Sequence, residues 1–193
     1  MCKLMVNISL SIDGVIQAPG RPDEDTRGGF TRGGWAVPYF DPMMFQTMGQ
    51  EMAKMPALLL GRRTYEDFYK VWPGRTDNPF TEVLDNSQKY VASTTLKEPL
   101  PWKNSTLLAG DAAEAVATLK KQQDKDLVVL GSAQLVQSLM RHGLVDEYVL
   151  SIHPLAIGSG RRLFPDDGPF APLRLVDTKT TGTGVIIATY RPA

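Results

Sequence analysis

The chain has one cysteine, Cys2, in 193 residues, so no disulfide can form within it. It has two histidines, His142 and His153. One thiol and two imidazoles do not assemble the usual Cys/His ligand sets of zinc sites, and no metal is expected. One-sided charge is also lacking, because 21 Lys and Arg balance 21 Asp and Glu. With no basic tail and no long run of one sign, neither nucleic acid nor an anionic membrane is an expected partner. A local basic pocket for a phosphate remains compatible with that balance. No apolar run approaches the ~20 residues of a membrane span. The first residues enter a strand pattern directly, without a charged segment and an apolar core, so no signal peptide and a cytoplasmic location are expected. Repeats, low-complexity tracts and internal linkers are absent.

What is present reads as one folded unit. A content of 42% hydrophobic and 22% charged residues is that of an ordinary globular domain. A length of 193 residues suffices for a single domain, 1–193, with a proper core. The most informative stretch is 127–164. It opens with the apolar run Leu127-Val128-Val129-Leu130 and turns through Gly131-Ser132-Ala133. Leu135, Val136, Leu139 and Met140 then repeat at helical spacing up to Gly143, and a second apolar strand runs from Tyr148 to Ile152. Strand, tight turn, helix, strand is the unit that builds parallel sheets. A turn of Gly, Ser and Ala lets a ligand approach the backbone and the helix N-terminus, where unpaired N–H groups attract phosphate.

Other segments supply candidate walls. Residues 3–16 read as a first strand, with Leu4, Val6, Ile8, Leu10 and Ile12 alternating with Met5, Asn7, Ser9 and Ser11 around an Asp13-Gly14 turn. Its apolar centre places it inside the sheet. Residues 17–42 form a long loop rich in Gly, Pro and charge, with Phe30, Trp35, Tyr39 and Phe40 embedded in it. Such loops are usually functional or disordered; aromatics among glycines favour the functional case, and a mobile lid with a stacking surface is expected. The alternative is a surface loop pinned to the core by those aromatics. Asp41 can cap a helix beginning at Pro42, with Met43, Met44, Phe45, Met48, Met52 and Met55 on its apolar face and Pro56 as its stop. Core packing is the expected role for most of that face.

Ala57–Leu60 is a second apolar strand, and Gly61-Arg62-Arg63-Thr64-Tyr65-Glu66 follows it at a helix start. This is either an anion cradle or a plain strand-to-helix turn with solvated arginines. Residues 89–93 form a third strand ending in Ser93-Thr94-Thr95, and 105–108 a fourth. Hydroxyls at the C-terminal edge of a strand suit polar ligand groups. Residues 111–121 form an amphipathic helix. After His153-Pro154 and the glycine-rich basic turn 158–162, segments 173–178 and 185–190 alternate as an antiparallel hairpin.

Three apolar strands thus end in small, basic or hydroxyl residues: Gly61-Arg62-Arg63-Thr64, Ser93-Thr94 and Gly131-Ser132-Ala133. Taken with Asp146-Glu147-Tyr148, His153-Pro154, Gly158, Gly160 and Leu163-Phe164, the set resembles the dihydrofolate reductase superfamily over essentially the whole chain. Within it, the chain looks most like the reductase domain of the riboflavin-biosynthesis deaminase-reductase and its stand-alone relatives. The resemblance implies an α/β, dihydrofolate-reductase-like three-layer fold. Its central sheet is mostly parallel, with a C-terminal antiparallel hairpin and flanking helices.

The resemblance also implies an NADPH-dependent oxidoreductase. Gly61, Arg62, Arg63 and Thr64 would take phosphates at a helix start, and Ser93 and Thr94 would lie by the adenosine ribose phosphate. Gly131, Ser132, Ala133, Gln134 and Leu135 would line the pyrophosphate and approach the nicotinamide. An arginine fork at the 2′-phosphate gives a physical reason to prefer NADPH to NADH. In the family the glycine turn holds a cis peptide between two glycines; here Ser132 stands in place of the second. Folate reductases carry a carboxylate on the first helix, where this chain has apolar Met43, Met44, Phe45 and Met48. Asp41, Asp13 or water could supply the proton. By the resemblance Ser151 faces the substrate, with Asn7, Trp35, Phe40 and Phe45 around a flat ring.

The substrate expected is a small pteridine- or pyrimidine-like heterocycle. The alternatives are the phosphoribosylaminouracil of riboflavin synthesis, for which Arg21, Arg27, Arg32 or Arg161 could meet the phosphate, and a non-catalytic NADPH-binding module. A homodimer is implied by the resemblance, with the C-terminal hairpin as the candidate interface.

Overall fold

The computed structural model describes residues 2–53, 57–78, 80–168 and 170–193. Eight strands form one sheet: β1 Leu4–Ser11, β2 Ala57–Gly61, β3 Gln88–Ala92, β4 Ser105–Leu108, β5 Leu127–Leu130, β6 Glu147–His153, β7 Leu173–Thr180 and β8 Ile186–Pro192. Their order is β4-β3-β2-β5-β1-β6-β8-β7. The pairs from β4 through to β6 are parallel; β6–β8 and β8–β7 are antiparallel. Among the described residues, five α-helices intervene: α1 Pro42–Ala53, α2 Arg62–Val71, α3 Phe80–Asn86, α4 Ala112–Gln122 and α5 Ala133–Arg141. The expected sheet, hairpin and helices are present, with ends shifted by a few residues. Met55, Pro56 and Pro79 lie outside the described residues.

Two cores give the fold its three layers. The sequence of β2 makes this visible, because period 2 sends neighbouring side chains to opposite faces. Ala57 and Leu59 join β1, α4 and α5 in one core, through Val116, Leu119, Leu135, Val136 and Leu139. Leu58 and Leu60 join the other, with Met52, Tyr65, Leu84 and Trp102. A strand apolar at every position is therefore buried on both sides.

β1 is placed centrally, as expected, but its two faces differ. Leu4, Val6, Ile8 and Leu10 are buried, whereas Met5, Asn7 and Ser9 are only partly so. The strand ends at Ser11, and Ile12, expected on the apolar face, is 68% exposed. The Ser11 hydroxyl redirects the chain there, donating to Asp13 Oδ1 at 2.6 Å and accepting from Val15 N–H at 2.9 Å.

The long loop is pinned, not a free lid. Phe30 and Trp35 are buried in a satellite core with Val15, Ala18, Ala36 and Ile157. Trp35 Nε1 donates to the Gln17 carbonyl at 2.7 Å, and its ring meets His153 edge-on at 5.2 Å. The buried Gln17 amide organises the rest. It donates to the carbonyls of Asp25 and Arg27 at 3.0 Å each, and its oxygen accepts from Arg161 N–H at 3.1 Å. One helical expectation also changes. Met43 and Phe45 of α1 are exposed while Met44 and Met52 are buried, so the apolar stripe is narrower than the sequence suggests. On α4 the buried face is Ala113, Val116 and Leu119.

Lys89 is fully buried. Its ammonium donates to the carbonyls of Asp85, Ser87 and Lys103 at 2.8–3.2 Å and lies 4.4 Å from the Trp102 ring centre. Burial lowers its pKa to about 8. Lys89→Met leaves three carbonyls short of their donor at nearly constant volume, so we expect a loss of about 2–4 kcal/mol in urea unfolding. A loss below about 0.5 kcal/mol would mean that water replaces the ammonium.

Candidate active site

A cavity of about 1310 Å³ opens along the C-terminal ends of the parallel strands, where open α/β sheets bind ligands. It exceeds the 300–1,000 Å³ typical of a single small-ligand pocket and can hold a dinucleotide beside a second molecule. One end is built by two adjacent strand-to-helix turns. β2 leads through Gly61 into α2, and β5, its parallel neighbour, leads through Gly131-Ser132 into α5.

The Ser132 hydroxyl joins the two turns. It accepts from Gly61 N–H at 2.9 Å and donates to Thr64 Oγ1 at 2.9 Å. This brings two helix N-termini together, each with unpaired N–H groups and a partial positive charge. The approach is close. A Cβ on Gly131 would lie 3.3 Å from Thr64 Cγ2, and Gly131 has φ +61°. Ser132 is itself left-handed, at φ 60° and ψ 52°, an uncommon state for a residue with a side chain. Among the described residues the cis peptide is Glu98–Pro99, so Gly131–Ser132 is trans.

Every residue expected to hold the cofactor lines this cavity: 61–64, 93–94 and 131–135. Their surroundings differ. Arg62 Nη1 lies 3.5 Å from Glu66 Oε1. Arg63 is exposed and has no side-chain partner among the described residues. The Ser93 hydroxyl is turned onto its own loop, accepting from the N–H groups of Thr95 and Leu96 at 3.1 and 3.0 Å, whereas Thr94 is exposed.

The other end of the cavity meets the half-polar face of β1. Asn7, Ser9 and Ser151 lie there, with Phe40, Met44, Met48 and Met52 across from them. Register pairs Ser9 with Ser151. The side chains of Asn7 and Ser151 make no hydrogen bond among the described residues.

Three expected site residues are placed elsewhere. Trp35 is in the satellite core, because its indole N–H and ring are both used by Gln17 and His153. Phe45 is 49% exposed and leans on Phe40 at 5.6 Å without lining the cavity. Asp41 caps α1, accepting from Met44 N–H at 2.8 Å, and is not on the cavity wall. Asp13, the other candidate acid, holds the N–H groups of Ile157 and Gly158 at 3.0 and 2.7 Å. The Ser11 hydroxyl and those amides bring its pKa down to about 2, so it is a fixed anion at neutral pH.

The sequence offered the long loop as a lid and Arg27 and Arg161 as phosphate partners, but gave no sign of the carboxylates beside them. Asp23, Glu24, Asp25, Arg27 and Arg161 all face the cavity. Burial pushes the Glu24 carboxyl up, against hydrogen bonds from the N–H groups of Gly20 and Arg21. Burial also acts upward on Asp25, but Arg27 and Arg161 outweigh it and the net shift is down. The buried Gln17 that orders this wall had no signal in the sequence beyond its place after Val15-Ile16.

A parallel sheet closed by an antiparallel hairpin, with two helix N-termini meeting at its C-terminal edge, defines a dihydrofolate reductase-like protein. The chain belongs to the RibD C-terminal domain family, whose model matches residues 2–187. It is 29% identical over 195 residues to the uncharacterized protein YyaP of Bacillus subtilis (strain 168), covering 97% of this chain and 94% of YyaP. Its fold matches that of a pyrimidine reductase-like protein from Corynebacterium diphtheriae with a TM-score of 0.66 at 15% identity, over 100% of this chain and 92% of that one. It also matches dihydrofolate reductase from Enterococcus faecalis, complexed with NADP(H), with a TM-score of 0.63 at 15% identity, over 98% of this chain and 96% of that one.

Ser132→Ala removes both hydroxyl bonds and keeps the left-handed backbone, and should lower stability by about 1–2 kcal/mol. Ser132→Gly loses the same bonds but relieves a backbone state that disfavours Cβ by roughly 1 kcal/mol. Urea unfolding should therefore rank wild type above Gly and Gly above Ala; equal stability of all three would contradict the staple. Asp13 has a lowered folded pKa, so its contribution is present above the ordinary carboxylate range and lost as pH falls through about 2. Discounted for partial exposure, Asp13→Asn should lose about 1–2 kcal/mol at pH 7. The gap to wild type should narrow between pH 4 and pH 2; a gap independent of pH would refute the assignment.

Proposed function

We propose that this protein is an NADPH-dependent reductase that reduces a small planar heterocycle, pteridine- or pyrimidine-like. The observation that carries this reading is the stapled pair of helix N-termini at one end of a cavity whose other end offers an apolar wall and the unpaired polar side chains of Asn7, Ser9 and Ser151. The residues fit a dinucleotide. The turn at 131–132 is bare enough for close approach, two helix starts face a pyrophosphate, and Arg63 is a guanidinium free to meet a 2′-phosphate. Bound there, NADPH supplies the hydride. The protein's part is orientation. Gly61, Thr64 and Ser132 set the phosphate end, Asn7 and Ser151 hold the edge of the ring, and Phe40 with the methionines of α1 excludes water from its face.

The family membership supports a second reading, reduction of the phosphoribosylaminouracil of riboflavin synthesis. A third, a non-catalytic NADPH-binding module, draws on the apolar residues that α1 presents to the cavity in place of an acid. A homodimer belongs to the same proposal and is supported by the exposed Leu175 and Val176 on the edge strand β7.

Fluorescence titration should give tighter binding of NADPH than of NADH. Arg63→Ala should weaken NADPH by about 10–100-fold, the worth of one charge-assisted contact, and leave NADH nearly unchanged. Equal loss for both cofactors would remove Arg63 from the 2′-phosphate. NADPH oxidation followed at 340 nm with dihydrofolate, pyrimidine and quinone-like acceptors then separates a reductase from a binding module.

A further inference from the structure

Four arginines could have met a phosphate on the substrate: Arg21, Arg27, Arg32 and Arg161. The structure leaves none of them clear to do so. Arg21 is off the cavity wall, paired to Asp67 at 2.6 Å and to Asp23 at 3.3 Å. Arg32 is exposed and also off the wall. Arg27 does face the cavity, but both working arms of its guanidinium grip Asp25: Nε at 2.6 Å from Oδ1, and Nη2 on Oδ2. Its third arm, Nη1, is buried and has no hydrogen-bond partner among the described residues. Arg161 is held at the cavity edge by its backbone N–H on Gln17, and its guanidinium lies 3.9 Å from the same Asp25 carboxylate. Asp25 is a half-buried anion, its side chain 17% exposed, so water screens it less than a surface charge.

The rest of the wall agrees. The other basic side chains lining the cavity, Arg62, Arg63 and Lys70, stand on α2 at the cofactor end. Within the wall made by the loop, the carboxylates of Asp23, Glu24 and Asp25 outnumber the guanidiniums of Arg27 and Arg161. Apart from Arg27 Nη1, the side chains left without a partner among the described residues at the strands β1 and β6 are the neutral ones of Asn7, Ser9 and Ser151. The Asn7 carboxamide offers one donor group and one acceptor, the match for a cyclic amide edge, and Ser151 offers a hydroxyl. The facing wall of Phe40, Met44, Met48 and Met52 suits a flat ring and adapts to its outline.

Resting on the reductase reading above, we infer that the substrate is an uncharged flat heterocycle with a cyclic-amide edge and no phosphate, and that Asp25 enforces this choice by occupying Arg27 and Arg161. Asp25 is thus a specificity residue that selects by repulsion as much as by fit. The inference separates this chain from a reductase acting on a phosphoribosylated pyrimidine.

The test uses full-length protein labelled with ¹³C at the methionine methyl groups, so that Met44, Met48 and Met52 report on the substrate end alone. The probes are 6-hydroxymethylpterin and its phosphate monoester, titrated separately. Wild type should bind the free alcohol at least about tenfold more tightly than the ester. Asp25→Asn should abolish or invert that preference, and Asp25→Glu, which keeps the charge, should retain it. Equal or tighter binding of the ester by wild type, no movement of the methionine signals with either ring, or an unchanged ratio in Asp25→Asn would each overturn the inference. If Asp25→Asn does not fold, the wild-type ratio decides alone. NADPH is titrated on the same sample. If it fails to bind while the ring preference holds, the reductase reading falls and the selection by Asp25 stands.

Discussion

One hydroxyl holds the proposed cofactor end of this site together. Ser132 is forced into a left-handed backbone at the start of α5, and from there its oxygen reaches the first amide of the neighbouring turn and the threonine one helical turn further on. Two helix N-termini that would otherwise be independent become one electropositive ledge. Parallel pairing of β2 with β5 sets the spacing. The bare Gly131, against which Thr64 packs, allows the approach. Exchange any of these and the N–H groups no longer converge, because a hydrogen bond loses most of its value outside a narrow range of distance and angle.

The proposed substrate end follows a different logic. There the sheet contributes its half-polar strand β1, and the fold brings up a loop whose own interior is satisfied. Gln17 closes three backbone hydrogen bonds, Trp35 and Phe30 fill a small core, and the charges that remain outside are paired with one another. A wall of this kind is anchored by its own interior and carries more carboxylates than guanidiniums where it faces the cavity. It orients a neutral ring better than it captures an anion.

The sheet and helices were legible in the sequence because they depend on local period and punctuation. The continuous apolar runs at 57–60 and 127–130 could only be buried strands, and the three strand ends with small or hydroxyl residues all came to one cavity. The long loop was not legible in the same way. Its aromatics carry no mark that tells a stacking surface from an anchor; Trp35 is an anchor because Gln17 and His153 lie where they do. Asp25 was invisible for a similar reason. A carboxylate two residues from an arginine is common, and only the folded loop shows that the pair also reaches Arg161. Ser132 drew attention in the sequence as a departure from the family's glycine. In the fold, that departure supplies the hydroxyl that joins the two turns.

The central claim is that the ledge formed by Gly61, Thr64, Gly131 and Ser132 receives the phosphates of NADPH. Backbone ¹H–¹⁵N spectra recorded while NADP⁺ is added test this most directly. The amides of 61–64 and 131–135 should shift together and saturate at one concentration, while those of the β7–β8 hairpin stay still. Saturable binding that leaves those two turns unmoved would contradict it.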